Sequence, residues 1–245
     1  MIRRILILTA LIAASVYLVL AVTVFNTKPT NRECKSIELE IKDNTDLGFV
    51  TLKDIETSLK QKKLSPVGKA LESIDTRAIE NTLEKNSFVK NAECYITSGG
   101  KLKIDLYQRI PMMRVISSNG DNYYIDNEGK IMNANGKAVR VTVATGYIDR
   151  KFAQDKLFEL AKFLKSDYFW DSQIEQINIT TKQEIELIPR VGDHVLFIGK
   201  PEMYEIKFRK LKAFYKEALN NVGWNKYERI SVEFNNQIIC TKKER

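Results

Sequence analysis

The sequence predicts an α+β protein with three parts. These are a single N-terminal transmembrane helix, a module in the order strand, helix, helix, strand, strand, and a mostly antiparallel β domain with covering helices. Residues 5–25 carry no charge, which indicates the transmembrane helix. In residues 37–108, apolar and polar residues alternate at both ends, and apolar residues recur at helical spacing in between. Short alternating runs separated by Asn-Gly and Glu-Gly pairs fill residues 109–243, as in the β part of an α+β fold.

The composition is that of a globular protein with a basic surface. The chain has 245 residues, room for one or two domains, with 44% hydrophobic and 29% charged residues. Its 39 basic and 31 acidic residues give a net charge of 39 − 31 = +8. Basic and acidic residues alternate from residue 32 to the end, as on a mixed solvated surface. Because an exported domain does not meet genomic DNA, we expect no nucleic-acid partner.

The predicted membrane span at residues 5–25 reads ILILTALIAASVYLVLAVTVF. At about 1.5 Å per residue, a helix of this length crosses a hydrocarbon core of about 30 Å. A cleaved secretory signal is the alternative, but its apolar stretch has only about 7 to 15 residues. Arg3 and Arg4 favour a cytoplasmic N-terminus at residues 1–4, followed beyond the membrane by a linker at residues 26–36.

The first module opens with an alternating strand at residues 37–41. Thr51 and Asp54 have the spacing of a capping box, which predicts a helix start, and Asp75 or Thr76 can cap a second helix. A Ser-Gly-Gly turn then separates two further alternating strands. The apolar residues expected on the inner faces of this module are Leu52, Ile55, Leu59, Ile79, Leu83, Ile96 and Ile104.

The β domain at residues 109–243 is followed by a two-residue tail, 244–245. Turns are expected at Asn119-Gly120, Glu128-Gly129 and Asn135-Gly136. Helices are predicted near residues 151–165 and 202–221, and strands at 139–143, 174–181, 184–188, 194–199, 230–234 and 237–240.

The sequence carries no catalytic or metal-binding motif. His194 is the only histidine and is expected in a surface turn, so a histidine metal cluster is excluded. No CxxC pair, glycine-rich phosphate loop or GxSxG elbow is present. Glu184 and Glu186 lie two apart on a strand and indicate one solvated face rather than a glycosidase dyad. We therefore predict no enzyme, no catalytic or metal-ligating residue, no cofactor and no small-molecule substrate.

Two groups of residues have alternative interpretations. The aromatic run at residues 168–170 could form a sugar platform, although core packing at a helix end explains it more simply. Cys34, Cys94 and Cys240 cannot all pair within one chain. Cys94 and Cys240 are expected as small buried strand residues.

The last strands of the chain are the predicted binding surface. A terminal strand tends to lie at a sheet edge, where unpaired backbone groups can receive a strand from another chain. This argument requires no catalytic residue.

Residues 76–115, TRAIENTLEKNSFVKNAECYITSGGKLKIDLYQRIPMMRV, resemble the POTRA domain of the bacterial cell-division family FtsQ (DivIB). The resemblance includes an L-x-I-x-L-x-x-R-x-P ending from Leu102 to Arg109 and Pro111. NYYIDNEGKIM at residues 122–132 is similar to the start of the family's β domain. FIGK at residues 197–200 and ISVEFNNQIIC at residues 230–240 are similar to the end of the family's β domain.

The resemblance implies a non-enzymatic scaffold of the divisome that links its partners to septal peptidoglycan synthesis. It implies an inner-membrane location enriched at the septum, a cytoplasmic N-terminus, periplasmic domains, and partners of the FtsB and FtsL type. The alternatives are a membrane-anchored envelope enzyme such as a peptidoglycan hydrolase, or a POTRA-type assembly or translocation protein. In this family the last strands receive a strand of FtsB, and the matching residues are Arg229, Ile230, Ser231, Val232, Glu233, Phe234, Asn235, Asn236 and Gln237.

Overall fold

The computed structural model describes residues 2–25, 32–43, 48–134, 136, 138–234 and 236–244. The contacts between residues divide the chain into two compact units. Unit 1 comprises Met1–Lys42, Thr51–Glu84 and Asn91–Leu106, and unit 2 comprises Asp43–Val50, Lys85–Lys90 and Tyr107–Arg245.

The first element is helix α1, Ile2–Phe25. In the part of the chain that the structure describes, no helix is both long and apolar enough to cross a membrane. The membrane span stays a prediction, and most of the expected linker, residues 26–31, lies outside the described residues.

The first module has the predicted element order. A 3₁₀ turn, Leu71–Ser73, lies between its two helices. Its three strands form one sheet in the order β1-β3-β2, with β1 parallel to β3. The elements are β1 Ile37–Ile41, α2 Leu52–Gln61, α3 Thr76–Leu83, β2 Val89–Ile96 and β3 Leu102–Gln108.

The helices of this module begin where the sequence places their caps. The Thr51 Oγ1 accepts a hydrogen bond from the Asp54 backbone N–H at 3.2 Å, and the Asp54 carboxylate accepts one from the Thr51 N–H at 3.0 Å. This closes the predicted capping box. Asp75 caps α3 by accepting from the Ala78 N–H at 2.9 Å. Both expectations are confirmed.

Five of the seven residues expected on the inner faces are buried, the exceptions being Leu52 and Ile96. Leu52 is 38% exposed because it is the first residue of α2, whereas Ile55 and Leu59, one turn apart, point into the core. Ile96, the last residue of β2, is half-buried.

Unit 2 is built on a nine-stranded sheet in the order β12-β11-β10-β9-β8-β7-β4-β5-β6. Of its eight strand pairings in the described residues, five are antiparallel and three are parallel, so the sheet is mixed. The strands are β4 Pro111–Ser117, β5 Asn122–Asp126, β6 Ile131–Asn133, β7 Thr142–Gly146, β8 Ile174–Ile179, β9 Ile185–Pro189, β10 Val195–Gly199, β11 Tyr227–Ser231 and β12 Ile239–Lys242.

Two interrupted helical segments contribute to the core of unit 2. Each contains a π-helical turn, at Ala153–Leu157 and at Tyr215–Leu219, which the sequence does not predict. Residues of these segments join strand residues such as Ile177 and Leu196 in one buried cluster. The α-helical parts are α4 Arg150–Phe152, α5 Phe158–Ser166, α6 Tyr168–Gln173, α7 Tyr204–Phe214 and α8 Asn220–Val222.

Candidate functional site

The sheet order contradicts the expectation that residue 229 begins a free edge. β11 lies inside the sheet, parallel to β10 and antiparallel to β12. Arg229 faces Val195 on one side and Thr241 on the other, and Ile230 and Ser231 are likewise paired on both sides. The backbone of these three residues is therefore not available for strand addition. The reason is that the chain turns back after β11 and covers it with one more strand.

The rest of the predicted segment leaves the sheet. Val232 is fully buried, and its N–H donates to the Phe197 carbonyl at 3.0 Å. Glu233 is exposed, and Phe234 is 51% exposed while its carbonyl accepts from the Lys210 Nζ at 2.5 Å. Asn236 and Gln237 are exposed, whereas Asn235 lies outside the described residues.

The edge of the sheet is β12, Ile239–Lys242. Among the described residues no strand pairs with its outer side. The N–H of Lys243 donates to the Lys226 carbonyl of the neighbouring chain segment at 3.1 Å. Because donors alternate in direction along an antiparallel strand, the N–H groups of Thr241 and Ile239 also point inward. Those of Cys240 and Lys242 point outward, towards any incoming strand.

The side chains of β12 differ in exposure. Cys240 is half-buried and packs against the core, and burial raises the pKa of its thiol. Ile239 is 45% exposed, and Thr241 and Lys242 are also exposed. An added strand would therefore meet one apolar and two polar side chains next to a backbone ladder.

Two charged groups beside this edge, Arg229 and Lys243, are already paired. The Arg229 guanidinium donates to Glu186 at 2.9 Å and lies 4.1 Å from the centre of the Phe197 ring. Lys243 pairs with Asp193 at 2.9 Å, and this contact lowers the pKa of the Asp193 carboxyl. Arg229 is thus engaged within unit 2.

His194 is buried, which corrects the expectation of a surface histidine. It is 2% exposed, and its Nε2 lies 2.6 Å from the Tyr215 hydroxyl. The ring also packs against Tyr215 edge-to-face, with 5.6 Å between ring centres. Burial lowers the pKa of His194. The sequence missed this because Gly192 and Asp193 indicate a turn, and the turn directs the next side chain inward.

This burial predicts a pH-dependent stability. With the pKa of folded His194 below its ordinary value of 6.5, only the unfolded chain takes up the proton as the pH falls below about 6.5. We expect the free energy of unfolding to fall through this range until the folded pKa is reached. Urea denaturation at pH 7.5 and 5.5 measures the loss. His194→Gln should remove part of it, and an unchanged pH dependence in this variant would contradict the assignment.

Other residues considered for chemistry lie in structural surroundings. Trp170 is 1% exposed, which confirms core packing, while Tyr168 is 89% exposed. Cys94 is buried, and desolvation raises the pKa of its thiol to about 12. Cys34 is also buried. Among the described residues no group of three or more His, Cys, Asp or Glu side chains could hold a metal ion.

Comparison with known families adds two matches. The family model described as FtsQ/DivIB, C-terminal related, matches residues 110–241. The model of a POTRA-like domain matches residues 32–107. No curated protein matches the chain. The two family matches together cover both the strand–helix–helix–strand–strand module and the nine-stranded sheet.

Proposed function

Because the chain belongs to the FtsQ/DivIB C-terminal-related family and carries a POTRA-like domain before that region, we propose that it is a non-enzymatic scaffold of the cell-division machinery. Two features of the described residues agree with a binding role. A strand edge is open at β12, and His194, the only histidine of the sequence, is 2% exposed with its Nε2 2.6 Å from the Tyr215 hydroxyl.

The proposed contact is strand addition at β12 by a partner of the FtsB or FtsL type. The observation that carries this proposal is the position of β12 at the end of the sheet, with its outer side unpaired among the described residues. The proposal moves the site from residues 229–237 to the following strand, because β11 is paired on both sides. The exposed residues 233, 234, 236 and 237 flank this edge and supply side-chain contacts.

We further propose that residues 5–25 anchor the chain in the inner membrane, with residues 1–4 in the cytoplasm and both following domains in the periplasm. The support is the uninterrupted apolar sequence of this segment and the two arginines that precede it. Enrichment at the division septum follows from the proposed partners.

A proline at Lys242 tests the contact. Proline removes the outward N–H of this residue but leaves the inward donors of Thr241 and Lys243 in place. We expect Lys242→Pro to weaken co-purification of the FtsB/FtsL-type partner with the full chain by at least about tenfold, which corresponds to about 1.4 kcal/mol. The measurement is the amount of partner that co-purifies with the chain at a series of partner concentrations.

Lys242→Ala is the matched control, since it removes the same side chain but keeps the donor. We expect it to bind within about twofold of the parent, because an exposed lysine contributes little. Circular dichroism establishes that both variants are folded. A folded Lys242→Pro variant that retains its partner at full strength would move the site away from β12.

A further inference from the structure

One end of the nine-stranded sheet forms a continuous row across five strands. The registers place Ser117 beside Gly146, Gly146 beside Ile179, Ile179 beside Ile185, and Ile185 beside Gly199. At this row the three parallel strands β4, β7 and β8 all reach their carboxyl ends. In open sheets with parallel strands, ligands bind preferentially outside the carboxyl ends of those strands.

The loops beyond this row are held by specific contacts. The Ser117 hydroxyl donates to the Ile148 carbonyl at 2.7 Å. Gly146 has φ +100°, and a Cβ there would lie 2.1 Å from the Ile179 carbonyl oxygen, so only glycine fits. In the turn after β8, the Thr180 hydroxyl accepts from the N–H of Lys182 at 3.3 Å, and Gln183 adopts φ +59°. The loop backbones are therefore fixed.

The segments that follow β7, β8 and β10 line an open cleft of about 550 Å³, within the size range of small-ligand sites. Four lysines line it: Lys151, Lys156, Lys182 and Lys200. In the described part of the chain, none of their ammonium groups has an ion pair or hydrogen bond. The acidic residues of the lining are Asp149, Asp155 and Glu202. Asp149 accepts from the Phe152 N–H at 2.7 Å as a helix cap, so one of the three carboxylates is already engaged.

A fifth lysine lies behind the wall of the cleft. Lys207 on α7 is 1% exposed, and its Nζ donates to the Lys200 carbonyl at 2.9 Å. Burial lowers the pKa of its ammonium group, and the nearby Glu202 and Glu233 carboxylates oppose this shift. A lysine ammonium has three donors, and the structure shows one acceptor for them. The Lys200–Glu202 loop is therefore held in place by a hydrogen bond from a buried lysine.

From this geometry we propose that the cleft binds a phosphate-bearing anion, which the four lysines hold through charge-assisted hydrogen bonds. Lysine binds phosphate as a compact point charge and needs no planar, bidentate geometry. Four separated ammonium groups suit a ligand with more than one negative oxygen better than a single carboxylate. The ligand is either a phospholipid headgroup or a soluble phosphate compound. This site lies apart from β12 and does not rest on the scaffold proposal.

Inorganic pyrophosphate is the probe that tests the site. Calorimetric titration of the full chain, in a non-ionic detergent at low ionic strength, should show saturable binding that weakens as salt is added. We expect the double substitution Lys182→Glu, Lys200→Glu to weaken it at least tenfold. The control, Lys62→Glu with Lys85→Glu, changes the net charge equally at exposed residues outside the cleft and should shift the affinity less than twofold.

Failure to saturate up to about 10 mM pyrophosphate, which corresponds to a binding free energy weaker than about −2.7 kcal/mol, would overturn the proposal. Equal losses in both double variants would also overturn it, because they would show only a general charge effect. Glycerol 3-phosphate, titrated in parallel, distinguishes the two sources. Tighter binding of glycerol 3-phosphate than of pyrophosphate supports the site with a lipid headgroup as its ligand, and the reverse order supports it with a soluble phosphate compound.

Discussion

Replacing Arg109 by alanine is expected to lower the free energy of unfolding by about 3–5 kcal/mol, because it leaves a buried carboxylate without its cation. The Arg109 Nε donates to Asp126 at 2.7 Å, and Nη2 lies 2.7 Å from the same carboxylate oxygen. The Asp126 side chain is 3% exposed. Its other oxygen accepts from the N–H groups of Glu128 and Lys130 at 2.9 and 2.8 Å, so the pair also fixes the β5–β6 turn.

Urea denaturation of Arg109→Ala gives the loss. Arg150→Ala is the matched control, because Arg150 donates to Asp121 at 3.3 Å but its side chain is 61% exposed. An exposed pair of this kind contributes about 0–1 kcal/mol. In a double-mutant cycle, Arg109→Ala should lower the free energy of unfolding less when Asp126 is also alanine, because no buried carboxylate is then left without its cation. Additive losses in this cycle would show that the two side chains act independently.

Replacing Trp170 by alanine is expected to cost about 3–5 kcal/mol, the range for removing a large aromatic from a core. Its ring packs edge-to-face against Phe169, Phe208 and Tyr215, with ring centres 4.8, 5.0 and 5.7 Å apart. These contacts join α6, α7 and the π-helical turn after α7. The cavity left by alanine would therefore loosen the packing among three helical segments at once.

Tyr168→Ala is the control for this substitution, since Tyr168 lies on the same short helix but is 89% exposed. We expect it to change the free energy of unfolding by less than about 0.5 kcal/mol. If Trp170→Ala were equally mild, the interpretation of the aromatic run as core would be wrong.

Features set by a few neighbouring residues could be predicted from the sequence. The Thr51–Asp54 capping box forms as expected because both partners lie within one helical turn. The turn at Asn119-Gly120 joins β4 and β5 because Gly120 adopts φ +92°, which glycine tolerates. The element order of the first module follows from the same local patterns.

Features set by distant pairing could not be predicted in this way. The strand expected at residues 139–143 is observed as β7, Thr142–Gly146, because its register is fixed by parallel pairing with β4 and β8. The π-helical turns likewise interrupt segments whose apolar spacing indicates continuous helices. Which strand lies at the sheet edge depends on where the chain goes after β11, so alternation alone does not show that β11 is paired on both sides.

The shortness of β12 has a consequence for how firmly a partner can be held. Four residues extend only about 14 Å. Two outward-facing residues offer about four backbone hydrogen bonds, worth roughly 0.5–1.5 kcal/mol each. Bringing two free molecules together costs about 4–15 kcal/mol, so the ladder alone retains a soluble peptide weakly. Confinement of both chains to one bilayer, as proposed, raises their effective concentration to the millimolar range. Assembly would then depend on where the chains are anchored more than on the strength of the strand contact.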